Sequence, residues 1–391
     1  MHFLCAIRDL IFKILPNSLV RLFMGKTSFC FLVHPRDIKD VRNHFPLWKF
    51  LPEKSIKWLL KKIWPLIGPK ITGLTTVDGQ RLNGRIIFCP LLPEQLILRR
   101  KNKVTKKLIK AAKLADKLGS KIIGLGGFNA AASRYGQDLI GKTKADITTG
   151  HTYTTYAVVE IARMATNIVG LEFENAIVAV IGAAGSMGSA CAELIDHAER
   201  VKELLLVEIP ARLDTLKKMF PKTNNRVSFS STLSEIKKAD LVITLTNAIG
   251  SIVEADYLKP GAIVIDDSQP VNVSRDIINM NSNVLIVGCA VQAQDIDCHY
   301  DFGLPREAIF TCLGEVLALC AYDCNSEFLT TGRVNIDQAK DIARMAESLG
   351  FYPLLIDNQG RSITYQKLWK VCEVYNGNAK KHPISFNSQP S

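Results

Sequence analysis

The sequence contains no C-x-x-C pair and no Cys/His array with zinc-site spacing, although it carries ten cysteines. Most of these sit in apolar runs, as Cys191 and Cys289 do, where a reduced thiol behaves as a small hydrophobe. That usage supplies no metal ligand set and predicts a reducing, cytoplasmic setting. No uninterrupted apolar run approaches the ~20 residues that span a bilayer. The hydrophobic stretch from Met1 to Phe23 is broken by Arg8, Asp9, Lys13 and Arg21, and Asp9 falls where the apolar core of a signal peptide would lie. Two readings of this stretch stay open: a basic amphipathic helix lying peripherally on a membrane surface, and a helix packed on the protein's own body. No internal repeat is visible. No recognised nucleic-acid-binding motif is present, which argues against a nucleic-acid partner.

Acidic residues are the scarcer sign, 37 against 49 Lys and Arg, for a formal charge of +12. An excess of that size suggests an acidic partner, and charge alone does not choose among nucleic acid, an anionic membrane face and an acidic protein or substrate. Hydrophobic residues at 47% and charged residues at 22% are ordinary for a globular chain. At 391 residues there is room for two compact domains.

The first seventy residues read as helical and basic, cut into short pieces by Pro46, Pro52 and Pro65. Strand-like runs follow at Ile71 to Thr76 and Arg85 to Cys89, separated by the turn-prone Val77-Asp78-Gly79-Gln80. Pro93-Glu94 opens a helical stretch to about Leu118, and Lys121 to Gly124 is a short strand running into Gly124-Leu125-Gly126-Gly127. From Ala176 onwards strands and helices alternate. The strands are Ala176 to Ile181, Glu203 to Val207, Arg226 to Ser228, Leu241 to Leu245, Ala262 to Ile265 and Val284 to Val287; helices are expected at Ser186 to His197 and Ala211 to Phe220. Continuous apolar strands alternating with helices predict a doubly wound parallel sheet. The expected organisation is a basic helical N-terminal region (1–70), an α/β substrate domain (71–165), a Rossmann-type dinucleotide domain (166–302) and a helical C-terminal region (303–391) with a disordered tail from about Gly377.

The segment Gly182-Ala183-Ala184-Gly185-Ser186-Met187-Gly188 lies between a buried strand and a helix, the context a pyrophosphate-binding loop requires. Gly182 permits the tight turn, Gly185 lets the backbone approach the pyrophosphate, and Gly188 lets helix and strand pack closely. The helix terminus offers free N–H groups to the anion, Met187 belongs to the same turn, and Ser186 can add a hydroxyl donor. Glu208 ends the second strand, twenty residues after Gly188, where a carboxylate accepts from ribose hydroxyls and favours NADH. Arg212 is close enough in sequence to pair with a 2′-phosphate instead.

Hydride chemistry at the carbonyl or carboxyl level needs a proton donor or a covalent anchor. Candidate donors are His151, Tyr153 and Tyr156, in the hydroxyl-rich run Thr148 to Tyr156, part of which is expected to cap the following helix. A cysteine thiolate is the natural acyl anchor. Cys312, in Ile309-Phe310-Thr311-Cys312-Leu313-Gly314-Glu315, begins a helix whose terminus should lower a thiol pKa; a buried, inert cysteine is the competing reading.

Several segments together resemble one family, the aldehyde-forming long-chain acyl-[acyl-carrier-protein] reductases. They are Cys89-Pro90-Leu91-Leu92-Pro93-Glu94-Gln95-Leu96 with Arg99-Arg100, Gly124-Leu125-Gly126-Gly127-Phe128, Thr148-Thr149-Gly150 with Thr152, Thr154 and Tyr156, the Val178-to-Gly188 loop, Val201-Lys202-Glu203-Leu204-Leu205-Leu206, and Phe310-Thr311-Cys312 with Glu315. A weaker likeness covers Phe31-Leu32-Val33-His34. The resemblance implies that Cys312 takes the acyl group from a fatty acyl carrier protein or acyl-CoA, and that NADPH supplies the hydride, giving an aldehyde. The chain departs from the family at His151 and Tyr153, where Asn and His are usual, and at Glu208, where a basic residue is common. With an acidic carrier as partner, Arg99, Arg100, Lys101, Lys103, Lys106, Lys107 and Lys110 form a candidate docking stripe, with a solvated helix face as the competing reading. A shikimate- or amino-acid-type dehydrogenase and a non-catalytic redox-sensing module are the alternatives.

Overall fold

The computed structural model describes residues 2–97, 101–199, 201–221, 226–268, 271–274, 276–277, 283–324 and 331–376. The tail from Gly377 and the pair Arg99-Arg100 lie outside them.

Two sheets organise the chain. The first contains β1 (Phe29–Val33), β2 (Leu66–Ile71), β3 (Gly84–Phe88), β4 (Ile122–Leu125) and β5 (Asp146–Thr148), in the order β2-β3-β1-β4-β5. All neighbours are parallel except β2 against β3. The central strand β1 falls inside the stretch expected to be wholly helical. A five-residue apolar run shows no period that separates a strand from a helix, and its five residues are all buried. Alternation then assigns its side chains: Phe29, Phe31 and Val33 enter one core, while Cys30 and Leu32 enter the core on the opposite face. The Lys101–Leu118 helix covers the second of these faces with Val104, Leu108, Ala111 and Ala115.

The second sheet contains β6 (Ile177–Ile181), β7 (Glu203–Val207), β8 (Val227–Ser230), β9 (Leu241–Thr244), β10 (Ile263–Asp266), β11 (Leu285–Gln292), β12 (Ala308–Ile309) and β13 (Tyr352–Ile356). Its order is β12-β11-β10-β9-β6-β7-β8, with β13 pairing antiparallel to β11. Strands β6 to β11 are mutually parallel, so the expected α/β, doubly wound architecture is the one observed. The order reverses between β6 and β9. In open parallel sheets that crevice, beyond the carboxyl ends of the strands, is where ligands bind.

Two helices join the sheets. His151–Val169 buries Val158, Ile161, Ala162 and Ala165 against Val178, Val180, Ile243 and Ile265 of the second sheet. Thr311–Ala321 buries Leu313, Val316 and Leu317 in the core that holds Phe29, Phe31 and Ile86 of the first. The region expected to be helical after Gly303 is thus shared out: Thr311–Ala321 packs on the first sheet, Leu368, Val371 and Cys372 enter the core of the second, and Tyr352–Ile356 adds a strand to the second.

Candidate active site

A cavity of about 860 Å³ opens at the reversal point, with walls from both sheets. The glycine-rich loop forms one part of its wall. Gly182 has φ +82°, and a Cβ there would fall 2.6 Å from the Leu245 carbonyl oxygen. A Cβ on Gly188 would fall 2.2 Å from the Gly182 oxygen, so only glycine lets the Ser186–Leu194 helix start this close to β6. Gly182, Gly185, Ser186 and Met187 all face the cavity. The Ser186 hydroxyl, expected as a phosphate donor, is instead donated to the Gly332 carbonyl at 2.6 Å.

Glu208 and Arg212 also line the cavity, at the end of β7. Glu208 is buried, its carboxylate accepting from the Ala184 N–H (2.9 Å) and the Ile209 N–H (3.0 Å). Arg212 donates to the Ala184 carbonyl at 2.6 Å and lies 3.8 Å from the Glu208 carboxylate. Both residues therefore brace the glycine loop from outside, in addition to facing the cavity. The braced cradle, open at its glycines, fits a dinucleotide pyrophosphate.

Cys312 lies in the same cavity wall, in the first turn of the Thr311–Ala321 helix. Facing it is the start of the His151–Val169 helix. Gly150, with φ +74°, comes so close that a Cβ there would fall 2.4 Å from the Cys312 Cβ. The N-terminus of His151–Val169 is capped both by its own hydroxyl run, with the Thr149 hydroxyl accepting from the His151 N–H at 3.3 Å, and from the other helix. Glu315, fully buried, accepts from the Tyr153 N–H at 2.8 Å and from the Thr148 hydroxyl, with the N–H groups of Thr152 and Gly150 also turned to it. Thr154 and Thr311 share a hydroxyl contact of 2.8 Å between the same helices. Burial nevertheless holds the Glu315 carboxyl above its ordinary range.

The expectation that the helix start would lower the Cys312 thiol pKa is overturned. Burial, reinforced by the carboxyl groups of Asp267 and Glu315, pushes it up to about 12, and backbone N–H donors offset only part of the rise. A helix terminus contributes a partial charge, whereas desolvation penalises the full charge of a thiolate. His151 is a cavity residue too. Its ring packs edge-on to Tyr135, 5.6 Å between centroids, and burial pushes its pKa down to about 4. Its Nδ1 is buried and has no hydrogen-bond partner among the described residues.

Tyr153 is removed from the list of proton donors. Its ring is buried in the core and its hydroxyl donates to the Phe351 carbonyl at 3.4 Å, away from the cavity. Tyr156 packs against the same core and does not line the cavity either.

Asp267, just past the end of β10, is a residue that motif reading missed. It lines the cavity, and burial together with the adjacent Asp266 raises its pKa to about 8, while a bond with the Cys289 thiol lowers it. Asp266 is consumed structurally, accepting from the Thr244 hydroxyl (2.9 Å) and the Asn272 N–H (3.1 Å). The signal that would have found Asp267 is positional: a carboxylate at the carboxyl end of a parallel strand beside the switch point.

The chain is similar in sequence to a long-chain acyl-[acyl-carrier-protein] reductase. That protein, from Synechococcus elongatus, is 28% identical over 308 residues, spanning 75% of this chain and 88% of the relative. Aminotransferase PigE of a Serratia species is 21% identical over 363 residues, spanning 89% of this chain but 42% of that protein, so the shared part is less than half of it. No family model matches the chain. Among solved structures, a putative malic enzyme overlaps 85% of this chain and 87% of its own at 13% identity, with a TM-score of 0.37. The L-tryptophan dehydrogenase of Nostoc punctiforme overlaps 61% and 60% at 13% identity, with a TM-score of 0.29. Superpositions that loose carry no argument about the site.

Of the candidate carrier-docking stripe, Lys103, Lys106 and Lys110 are exposed. Lys107 is not: it is buried, donating to the Leu60 carbonyl at 2.6 Å and the Pro90 carbonyl at 3.3 Å. It ties two segments together and is lost to any docking surface.

Proposed function

We propose that this protein is an NAD(P)H-dependent oxidoreductase that reduces a long-chain fatty acyl thioester, carried on acyl-carrier protein or coenzyme A, to the aldehyde through a Cys312 acyl-enzyme. The observation that carries the reading is the presence of Cys312 and the glycine loop in the walls of one cavity, on a chain related to an acyl-[acyl-carrier-protein] reductase. The apolar side chains of Phe31, Val33, Leu125, Phe128, Phe302 and Phe310 line the same cavity and suit an alkyl chain.

In this reading Cys312 rests as a thiol and loses its proton only as it attacks. His151 lines the same cavity with its Nδ1 unpartnered among the described residues, and we assign it as a transient acceptor of that proton, a weak base because burial lowers its pKa. The sulfur forms a bond to the acyl carbon, the carrier C–S bond breaks, and the carrier leaves as a thiol. Asp267, protonated near neutral pH beside the thiol, supports a role as proton donor to the departing sulfur. A reduced nicotinamide held in the glycine cradle would supply a hydride to the acyl carbon. The bond from that carbon to the Cys312 sulfur would break, freeing the aldehyde, and the thiolate would take back the proton held by His151. Gly182, Gly185, Ser186, Met187 and Gly188 would hold the pyrophosphate, and Glu208 with Arg212 would meet the adenosine ribose. Lys103, Lys106 and Lys110 would face an acidic carrier.

A Cys312→Ser variant tests the covalent step. Mixed with a long-chain acyl-CoA, it should show no acyl adduct by intact-protein mass, and aldehyde formation should fall by about 10³-fold or more. A variant that keeps substantial aldehyde formation would remove Cys312 from the mechanism.

A further inference from the structure

Two helices at the N-terminus turn an apolar stripe outward. In the His2–Ile14 helix, Ile7, Leu10, Ile11 and Ile14 are exposed, Ile14 by 86%, at the i, i+3, i+4, i+7 spacing of one face. The opposite side is what the protein holds. Phe12 enters the core over the outer face of the first sheet, and the buried Asp9 accepts from the Ile67 N–H at 2.7 Å while pairing with Arg8. The Arg8 guanidinium also donates to the Ile67 carbonyl at 2.9 Å, so the rotation of the helix is fixed. The Asn17–Met24 helix repeats the arrangement. Val20 and Met24 are buried, and Arg21 donates to the carbonyls of Asp116 and Lys117. Leu19, Leu22 and Phe23 point outward on one face, Leu22 and Phe23 by 77% and 70%.

A surface helix ordinarily buries its apolar stripe. Here each helix is pinned to the body through other residues, and a second stripe remains in water. We propose that this double stripe is a docking face for an anionic lipid bilayer, with both helices lying in the headgroup plane. Charge complementarity favours that occupant. Residues 1–70 hold thirteen Lys and Arg against four Asp and Glu, most of the molecule's positive excess, and the exposed Lys26 lies two residues past the end of the second helix. Basic side chains beside an apolar face are what an interfacial helix requires, whereas a second copy of the chain would bring two basic regions together. Among the described residues no helix is long and apolar enough to cross a membrane, so the contact is with the surface. This inference is independent of Cys312 and of the proposed reaction.

The test is co-sedimentation of the full chain with vesicles of phosphatidylcholine alone or with about 30% phosphatidylglycerol, at low and high salt. The parent should pellet with the anionic vesicles at least about tenfold more than with the neutral ones, and less at high salt. Leu22→Glu/Phe23→Glu and, separately, Ile11→Glu/Ile14→Glu should lose the binding while keeping the parent's melting temperature. The proposal is overturned if the parent stays in the supernatant with anionic vesicles, or if both double variants pellet as it does. It is also overturned if the parent ignores vesicles and sediments as a dimer that Leu22→Glu/Phe23→Glu dissociates.

Discussion

Asp267 helps to set the protonation of Cys312, while its own is set by burial, by Asp266 and by the Cys289 thiol. Each is raised chiefly by burial, and the Asp267 carboxyl adds a charge contribution that lifts the thiol further. The carboxyl's shift has a consequence for stability that is separate from any role in turnover. Because its pKa rises to about 8 from an ordinary 3.8, the folded state binds a proton that the unfolded chain has already released over that interval. The stabilising contribution is therefore complete below about 3.8 and is lost as pH rises through about 8. Removing the ionisable group should flatten that loss. Thermal melts of Asp267→Asn from pH 4 to 9 should show a melting temperature that declines less with rising pH than the parent's. Parallel slopes across the window would mean that Asp267 is not held protonated in the folded protein.

At the scale of elements, the site depends on how closely two helices approach. Glu315 reaches from Thr311–Ala321 to cap His151–Val169, while Gly150, having no Cβ, lets the two backbones meet at Cys312. Gly150→Ala should therefore act twice, through its left-handed backbone and through contact with Cys312. The expected cost is about 1–3 kcal/mol in urea denaturation, together with slower acylation of the thiol by a long-chain acyl-CoA. Normal stability with an undisturbed acylation rate would show that the helix terminus does not set the thiol's position. The loop after β6 is built on the same principle, with glycine admitting a neighbouring backbone and the Glu208–Arg212 pair bracing it from the side.

At the scale of the whole molecule, the cavity exists because two sheets meet where the strand order of the second reverses. The acidic Glu208 and the basic Arg212 line it side by side, and in the proposed function, where they would meet the adenosine ribose, their charge balance should set the choice between NADH and NADPH. Glu208→Gln removes the negative member and leaves the cation. The ratio of NADPH to NADH affinity, read by fluorescence titration of each reduced cofactor, should rise by about tenfold or more. An unchanged ratio would place the 2′ position away from this pair.

The glycine loop and the six parallel strands around it were legible in the sequence, because a continuous apolar run, a turn and a helix follow one another within a short stretch. Glycine at 188 likewise answers a local steric demand, the Gly182 carbonyl six residues before it, whereas the close contact at Gly182 comes from Leu245 at another strand's end. The strand Phe29–Val33 was not legible, since five apolar residues among helical pieces carry no distinguishing period. Nor was Tyr153's place in the core, because its hydroxyl is satisfied by Phe351, far along the chain. The direction of the Cys312 shift was decided by tertiary structure alone. Desolvation and charge depend on what surrounds a group, and the groups that surround this thiol, Gly150, Asp267 and Glu315, come from three separate elements. Sequence by itself determined the parallel fold and the dinucleotide cradle, both of which follow from local order. The tertiary structure decided which titratable groups share the cavity and which proton each holds, because those properties arise only when distant segments exclude water from one another.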